Sequence, residues 1–439
     1  MQLPVGELPA LLAEVAEFVL GLRLEDVPPH VRQRLRWLLV DHAAVCAAGR
    51  RAPAAALAAD YATVAHGGDD ATAFLDGRRL AAPGAAWANG VLANVLDFDD
   101  GHRLAKGHPG AIVVPAAVAV GQSVDAGFDE LATAIVVGYE VALRAAVRQH
   151  DRMPLYHASG SWGAVGAAAA AGRLLGLSRT QLGHALGLAE YHAPIALMSR
   201  AVTDPAMTKD ATGWGALIGV SAALLAGRGY TSLTPTFLDG PSLELGERWD
   251  LLDVYVKPYP CCRWTQPAID AALRLRRGLI ERSATTIERV VIETFAAAAT
   301  LSRRHPTTTE ELQYSLTWPV AIALAEGRFG VDEVLSIPVD GQAASLEHAI
   351  VVEVDGDLTA AFPARRFSEV VLELDDGATL RSGRIEAGGE PGSPDWQRIV
   401  DAKSVWLPPS SGGARRSLGE LDGDGLLSLL GGNIAVVLD

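Results

Sequence analysis

Three carboxylates and two histidines crowd into one short stretch: Asp97-Phe98-Asp99-Asp100-Gly101-His102, then Gly107-His108-Pro109-Gly110. An imidazole gives and takes a proton near neutral pH, and a neighbouring carboxylate fixes its tautomer. The same groups can bind a divalent cation, but no HExxH or other spaced helical ligand pair accompanies them. Helix termination and capping is the plain alternative for these aspartates. His157 stands just before Ser159-Gly160-Ser161, where a helix N-terminus can hold an anion. A backbone-bonded, partly buried imidazole is the competing reading. Lys209 precedes an apolar run, residues 213–221, in a chain with only four lysines: Lys106, Lys209, Lys257 and Lys403. Such a lysine stabilises developing negative charge, or else snorkels or pairs with Asp204 or Asp210. Last comes Lys257-Pro258-Tyr259-Pro260-Cys261-Cys262-Arg263-Trp264-Thr265-Gln266. Tyr259 can donate a proton, and Arg263 can grip a carboxylate at two points. Alone, the stretch also suits a rigid two-proline linker with a helix cap.

Loops between helices must aim these groups. Residues 1–256 are rich in alanine, leucine and glycine and read as successive helices. Periodicity predicts helices over 14–22, from Pro28-Pro29 towards 48, and over 83–96, 111–124, 128–149, 161–175, 179–189 and 211–227. Several are apolar on most faces, which predicts burial in a large helical body with closely packed axes. From about 257 the texture changes. Residues 262–277 read as amphipathic helix, 289–295 as strand and 312–326 as helix. Residues 369–374 and 379–385 flank Asp375-Asp376-Gly377, a hairpin signal. The expected architecture is mainly α: a helical domain over 1–256, completed by 398–439, and an α+β lid over 257–397. The fourth cluster then lies between the two, a favoured place for ligand sites.

Composition narrows the chemistry. The chain has 439 residues, 49% of them hydrophobic and 20% charged, enough for a sizeable core. Its net charge of −15 opposes nucleic-acid or anionic-membrane binding but leaves room for a local cationic pocket. Only Cys46, Cys261 and Cys262 are present, two of them adjacent, so neither a disulfide framework nor an iron–sulfur cluster is expected. The start, MQLPVGELPA, lacks signal-peptide features, and no run reaches about 20 uncharged apolar residues. A reducing, cytoplasmic setting is the expectation.

The blocks "ANGVLANVLDFDDGHRLAKGHPGAIVVPAAVAVG", "GYEVALR", "HASGSWGAVGAAAAAGRLLGL", "MTKDATGWGALIGVSAALLAGRGYT" and "VKPYPCCRWTQPAIDAAL" resemble, in order, those of the MmgE/PrpD family. That family includes 2-methylcitrate dehydratase, cis-aconitate decarboxylase and iminodisuccinate epimerase. The resemblance implies a helical domain with an inserted lid, a site in the cleft between them, and a homodimer. It also implies chemistry on a small di- or tricarboxylate without cofactor or metal. The family's catalytic pattern falls on Asp97, His108, His157, Lys209 and Tyr259, with Asp100, His102, Arg263 and Gln266 as expected substrate-binding groups. Two positions depart from it. Gly101 stands where dehydratase and decarboxylase members commonly carry threonine, and Gln266 where they carry histidine. Gln266 lies one turn from Arg263 if the helix already includes both, and it can bind but not act as an acid. The shared chemistry is proton transfer at a carbon next to a carboxylate. The leading expectation is a cofactor-independent lyase, a dehydratase. The alternatives are an epimerase or isomerase, a decarboxylase, or a member repurposed for biosynthesis.

Overall fold

The computed structural model describes residues 9–280, 286–301, 304–337 and 341–407. The alanine- and glycine-rich half folds as helix on helix. Its elements are α1 (Ala10–Gly21), α2 (Pro29–Gly49), α3 (Pro53–Ala65), a hairpin of β1 (Gly67–Thr72) and β2 (Arg79–Leu80), α4 (Ala82–Asn94), β3 (Gly101–His102), α5 (Gly110–Ser123), α6 (Phe128–Arg152), α7 (Gly160–Leu174), α8 (Arg179–His192), α9 (Met198–Thr203), α10 (Thr212–Gly227) and β4 (Val254–Tyr255). The periodic helices match their expected spans to within a few residues. The helix α3 and the β1–β2 hairpin were not expected: Pro53 opens α3 at its first turn, but its alanine-rich run gives little periodicity. Small residues set the helix spacing, as expected. A Cβ on Gly166 of α7 would lie 2.4 Å from the Gly138 carbonyl oxygen of α6, so only glycine permits that crossing.

The second half begins with α11 (Gln266–Ile280) and β5 (Ile287–Thr294). The short helices α12 (Ala296–Ala299), α13 (Thr309–Gln313), α14 (Thr317–Glu326), α15 (Val331–Ser336) and α16 (Gln342–His348) follow, then β6 (Ile350–Val354), α17 (Gly356–Ala361), β7 (Phe367–Leu374), β8 (Thr379–Arg381) and β9 (Ile385–Glu386). The strands order as β6-β5-β7-β8, with β9 also pairing β7. β5 runs parallel to β6 and antiparallel to β7. The hairpin expected around Asp375-Asp376-Gly377 joins β7 to β8. The expected helix 312–326 is broken into α13 and α14.

Most of the helical half shares one apolar core, which also takes in Trp396, Ile399 and Val400 of α18 (Trp396–Lys403). Thus α18 returns to the helical body, and its Lys403 ammonium sits 2.7 Å from Asp41 of α2. Of the expected C-terminal completion, residues 408–439 lie outside the described residues. A second core holds α11, α14 and the inner face of the sheet, and also takes Val45, Val95, Leu96 and Phe98 from the helical half. The two halves therefore meet at the loop that follows α4.

Candidate active site

That loop is built by local rules. The Asp97 amide donates to the Asn94 carbonyl at the end of α4, and Asp97 takes a left-handed φ of 50°. Asparagine and aspartate tolerate that region best among residues with a Cβ. The short β3 then pairs antiparallel with β4, Gly101 opposite Tyr255 and His102 opposite Val254. This two-residue pairing delivers Lys257, two residues past β4, to Asp97. Its ammonium donates to Asp97 Oδ1 at 2.5 Å and to the Asp97 carbonyl at 2.9 Å, fully buried.

His108 completes the cluster just before α5. Its Nδ1 lies 2.7 Å from the Asp100 carbonyl, which can only accept, so Nδ1 carries the proton. Nε2 lies 3.4 Å from Asp97 Oδ1 and 4.0 Å from Asp210 Oδ2. Asp210 is held by Ser159, whose hydroxyl donates to it at 2.7 Å and accepts from the His108 amide at 3.0 Å. Asp99 is fixed by the Asn94 side-chain amide at 3.0 Å. Burial alone would raise the Asp97 carboxyl, but the Lys257 and Lys209 ammonium groups and the His108 imidazole outweigh it and hold it below the usual carboxylate range. Burial likewise opposes the Lys257 charge, yet Asp97 raises that ammonium above its ordinary value. Burial pushes Asp99 up.

Asp97, His108, Asp210 and Lys257 line a cleft of about 340 Å³, together with Tyr156, Tyr255, Tyr314, Cys262 and Arg263. Arg103, Lys106 and Arg366 complete its charged lining, giving five lysine or arginine side chains against two aspartates. An acidic chain thus concentrates positive charge in one cavity, which suits an anionic ligand. A larger groove of about 960 Å³ between the starts of α2 and α6 has no histidine in its lining. Asp97, Asp99 and His108 place possible ligand atoms within 4.8 Å of one another, a set that could hold a cation. Lys257 supplies a positive charge at the same carboxylate, 2.5 Å from Asp97 Oδ1. The Cys262 thiol is pushed up to about 12 by burial and stays protonated at neutral pH.

The other residues singled out in the sequence take different places. Lys209 is buried, but its ammonium donates to Gln313 Oε1 and lies 5.3 Å from the Tyr314 ring centroid; it does not line the cleft. Its charge still acts on Asp97, and burial pushes its own pKa down. Backbone pairing with Leu197 holds His157, its Nδ1 has no hydrogen-bond partner among the described residues, and it too lies outside the cleft lining. Tyr259 points away, donating to Asp270 at 2.6 Å. Gln266 is fully buried: its Nε2 donates to the carbonyls of Tyr259 and Cys261, each at 3.0 Å, and its Oε1 accepts from Arg263. Both Nε2 hydrogens are used within the protein, and the side chain is not part of the cleft lining. The shared helical face expected for Arg263 and Gln266 does not form either, because α11 starts at Gln266. Asp100 accepts from Tyr139 Oη at 2.7 Å and the Gly110 amide at 3.0 Å, beneath the cleft. His102 Nδ1 accepts from the Ala105 amide. Arg263 does line the cleft, with both terminal nitrogens committed to Glu390, Gln266 and the carbonyls of Ala387 and Gly388.

The sequence reading passed over Lys257, Asp210, Tyr314, Tyr255 and Arg366. Lysine scarcity was a usable signal and applied to Lys257 as well as to Lys209; Asp210 was named only as a partner for Lys209, and nothing marked the others. The glycine at 101 has a direct cause. A Cβ there would lie 2.4 Å from Tyr255 Cζ and Oη, so the Tyr255 ring fills the space a larger residue would need.

The chain is similar to proteins of one kind. It is 26% identical to the cis-aconitate decarboxylase-like protein oryM of Aspergillus oryzae, over 84% of each chain. It is 27% identical to the cis-aconitate decarboxylase of Homo sapiens, over 85% of this chain and 82% of that one. It is 29% identical to the mouse cis-aconitate decarboxylase, over 69% and 67%. The family model for the MmgE/PrpD N-terminal domain matches residues 13–243, and that for the C-terminal domain matches residues 259–411. With both halves matched in order, the chain belongs to the MmgE/PrpD family.

Proposed function

We propose that this protein is a cofactor-independent lyase that acts on a small polycarboxylate by proton transfer at a carbon next to a carboxylate. The observation that carries this is the cleft: four further cationic side chains, Arg103, Lys106, Arg263 and Arg366, line it together with a buried Asp97–His108–Lys257 cluster. A carbon acid of this kind is weak, so the charge that develops on the adjacent carboxylate must be met by preorganised cations. Lys257 serves as the nearest, with Lys209 reinforcing it through Asp97. His108 Nε2 is the proton carrier. With Nδ1–H held by the Asp100 carbonyl, only Nε2 exchanges a proton with substrate. Asp97 and Asp210 flank that nitrogen and compensate a proton arriving there. A second acid is needed to protonate a departing hydroxyl, and the Tyr314 and Tyr255 phenols, both on the cleft wall and both raised by burial, stay protonated to serve.

Elimination of water is the first reaction in this class, because two kinds of proton carrier share the cleft. Decarboxylation is the second, favoured by the names of the relatives. Epimerisation requires two proton carriers on opposite faces of one carbon. Incubation with cis-aconitate and with hydroxy-tricarboxylates in deuterated water, followed by NMR and mass spectrometry, separates the three. Loss of water marks a dehydratase and loss of carbon dioxide a decarboxylase, while α-deuterium with no fragment lost marks an epimerase. No turnover of any polycarboxylate defeats the reading.

The division into a helical domain, 1–256 with the C-terminal segment, and a lid, 257–397, accounts for the site's position between two apolar cores. A homodimer accounts for the aromatic face formed by Tyr61, Trp87 and Trp214 beside exposed Leu57 and Met207. Trp214→Glu is expected to yield monomers in analytical ultracentrifugation; an unchanged dimer would place the interface elsewhere. Three unpaired cysteines fit a reducing, cytoplasmic setting, and among the described residues no helix is long and apolar enough to cross a membrane.

A further inference from the structure

Three arginines cluster about Glu390 and Tyr255 on the cleft wall, and they are not equivalent. Arg103 donates to Glu390 at 2.6 Å and to the Ala364 carbonyl. Arg263 donates to Glu390 at 2.8 Å, and its remaining terminal N–H groups go to Gln266 and to backbone carbonyls. Arg366 is only 6% exposed, yet its Nε and Nη1 have no hydrogen-bond partner among the described residues, whereas Arg263 leaves only its Nε without one. Its guanidinium carbon lies 5.5 Å from the Tyr255 ring centroid, and that of Arg263 lies 4.7 Å from it. Glu390 therefore pairs with two of the three guanidinium groups, and Arg366 is left without a carboxylate bonded to it among the described residues. Burial of a cation with unpaired donors is unfavourable unless a ligand completes its hydrogen bonds. Nε–H and Nη1–H lie on different edges of the planar guanidinium, so they offer two separate charge-assisted hydrogen bonds to the oxygens of an anionic ligand.

We propose that Arg366 anchors a substrate carboxylate remote from the carbon that exchanges its proton, with the Tyr255 ring as the shelf that orients the guanidinium. The reacting end of the cleft belongs to Asp97, His108 and Lys257, and Arg366 makes no ion pair or hydrogen bond with them. Substrate is then gripped at two separated places, and a molecule with one carboxylate cannot satisfy both. This deepens the polycarboxylate reading and rests on it.

Titration calorimetry with propane-1,2,3-tricarboxylate tests the anchor, because that compound has neither a hydroxyl to eliminate nor a double bond. Wild-type protein is expected to bind it. Arg366→Gln is expected to weaken binding about ten- to a hundredfold, the scale of a lost charge-assisted pair. Arg366→Lys should recover part of the loss, since it keeps the charge but not the planar set of donors. Thermal melts report whether each variant folds, and if Arg366→Gln does not, Arg366→Lys alone must still bind more weakly than wild type. Undiminished binding by a folded variant would remove the anchor and leave the polycarboxylate reading standing. Absence of binding by the wild type would overturn both.

Discussion

Asp97 is the residue on which the site's charge balance turns. It is buried, bound by one ammonium, and within reach of His108, the proposed proton carrier. The two nearby lysines should therefore differ in effect. Lys257 lines the cleft and touches Asp97, whereas Lys209 is tied to Gln313 outside it. Lys257→Met is expected to lower kcat/KM by roughly a hundred- to a thousandfold, the scale of losing one preorganised electrostatic partner. Lys209→Met should cost about tenfold, because its charge reaches the substrate only through Asp97. Steady-state kinetics on both folded variants checks the order, and a larger loss in Lys209→Met would reverse the two roles. Which residues gather at the cleft was partly legible in the sequence. The His–Asp clustering led directly to Asp97 and His108. Lys257 was hidden because its partner is 160 positions away and the β3–β4 pairing that joins them is two residues long. Tyr259 and Gln266 had the right chemistry and the wrong direction: both brace the chain around the start of α11.

At the scale of elements, the long helices were legible from their length and their glycine and proline boundaries as much as from periodicity, since α5 and α7 are buried on nearly every face, and the Asp-Asp-Gly turn revealed the β7–β8 hairpin. Short pieces such as α9, β3 and β4 are fixed by tertiary contacts and leave no pattern in a single sequence. The docking of α18 is of this second kind, and it bears on the site. Lys403 reaches Asp41 at 2.7 Å and the Phe98 carbonyl at 2.7 Å, with its ammonium 4.1 Å from the Phe98 ring centroid. A lysine near the C-terminus thus props up the loop that carries Asp97 and Asp99. Lys403→Ala leaves the Asp41 carboxylate buried without its cation and is expected to cost about 3–5 kcal/mol. The double variant Lys403→Met/Asp41→Asn removes the orphaned charge and should regain much of that loss. Urea denaturation of the single and double variants measures it; equal losses would show that the pair contributes packing rather than charge compensation.

The whole molecule stores ionisable groups of opposite tendency in one core, and its stability against pH follows from their signs. Burial lowers His42 to about 3 and lowers His102 and His150 to about 4. Each is neutral when folded and takes up a proton on unfolding below its ordinary value of 6.5. Stability from these groups is full above 6.5 and is lost as pH falls towards 4. Burial raises Asp100 and Glu140 to about 7. Each holds a proton when folded that the unfolded chain has already released. Stability from these groups is present in acid and is lost as pH rises towards 7. The two sets oppose each other between about pH 4 and 6.5, so wild-type stability should vary little there and single variants should unmask one limb at a time. Asp100→Asn cannot ionise. Its stability relative to wild type is expected to climb from pH 4 to pH 7, by roughly 4 kcal/mol at most, since a tenfold change in proton affinity is worth about 1.4 kcal/mol. His102→Asn should show the opposite sign, gaining relative to wild type as pH falls from 6.5 to 4, by roughly 3 kcal/mol at most. Denaturant unfolding at half-unit pH steps gives both slopes. Parallel curves for Asp100→Asn and wild type would mean that Tyr139 and the Gly110 amide hold the carboxylate ionised in the folded protein, and the charge beneath the cleft floor would then be one unit more negative than burial dictates.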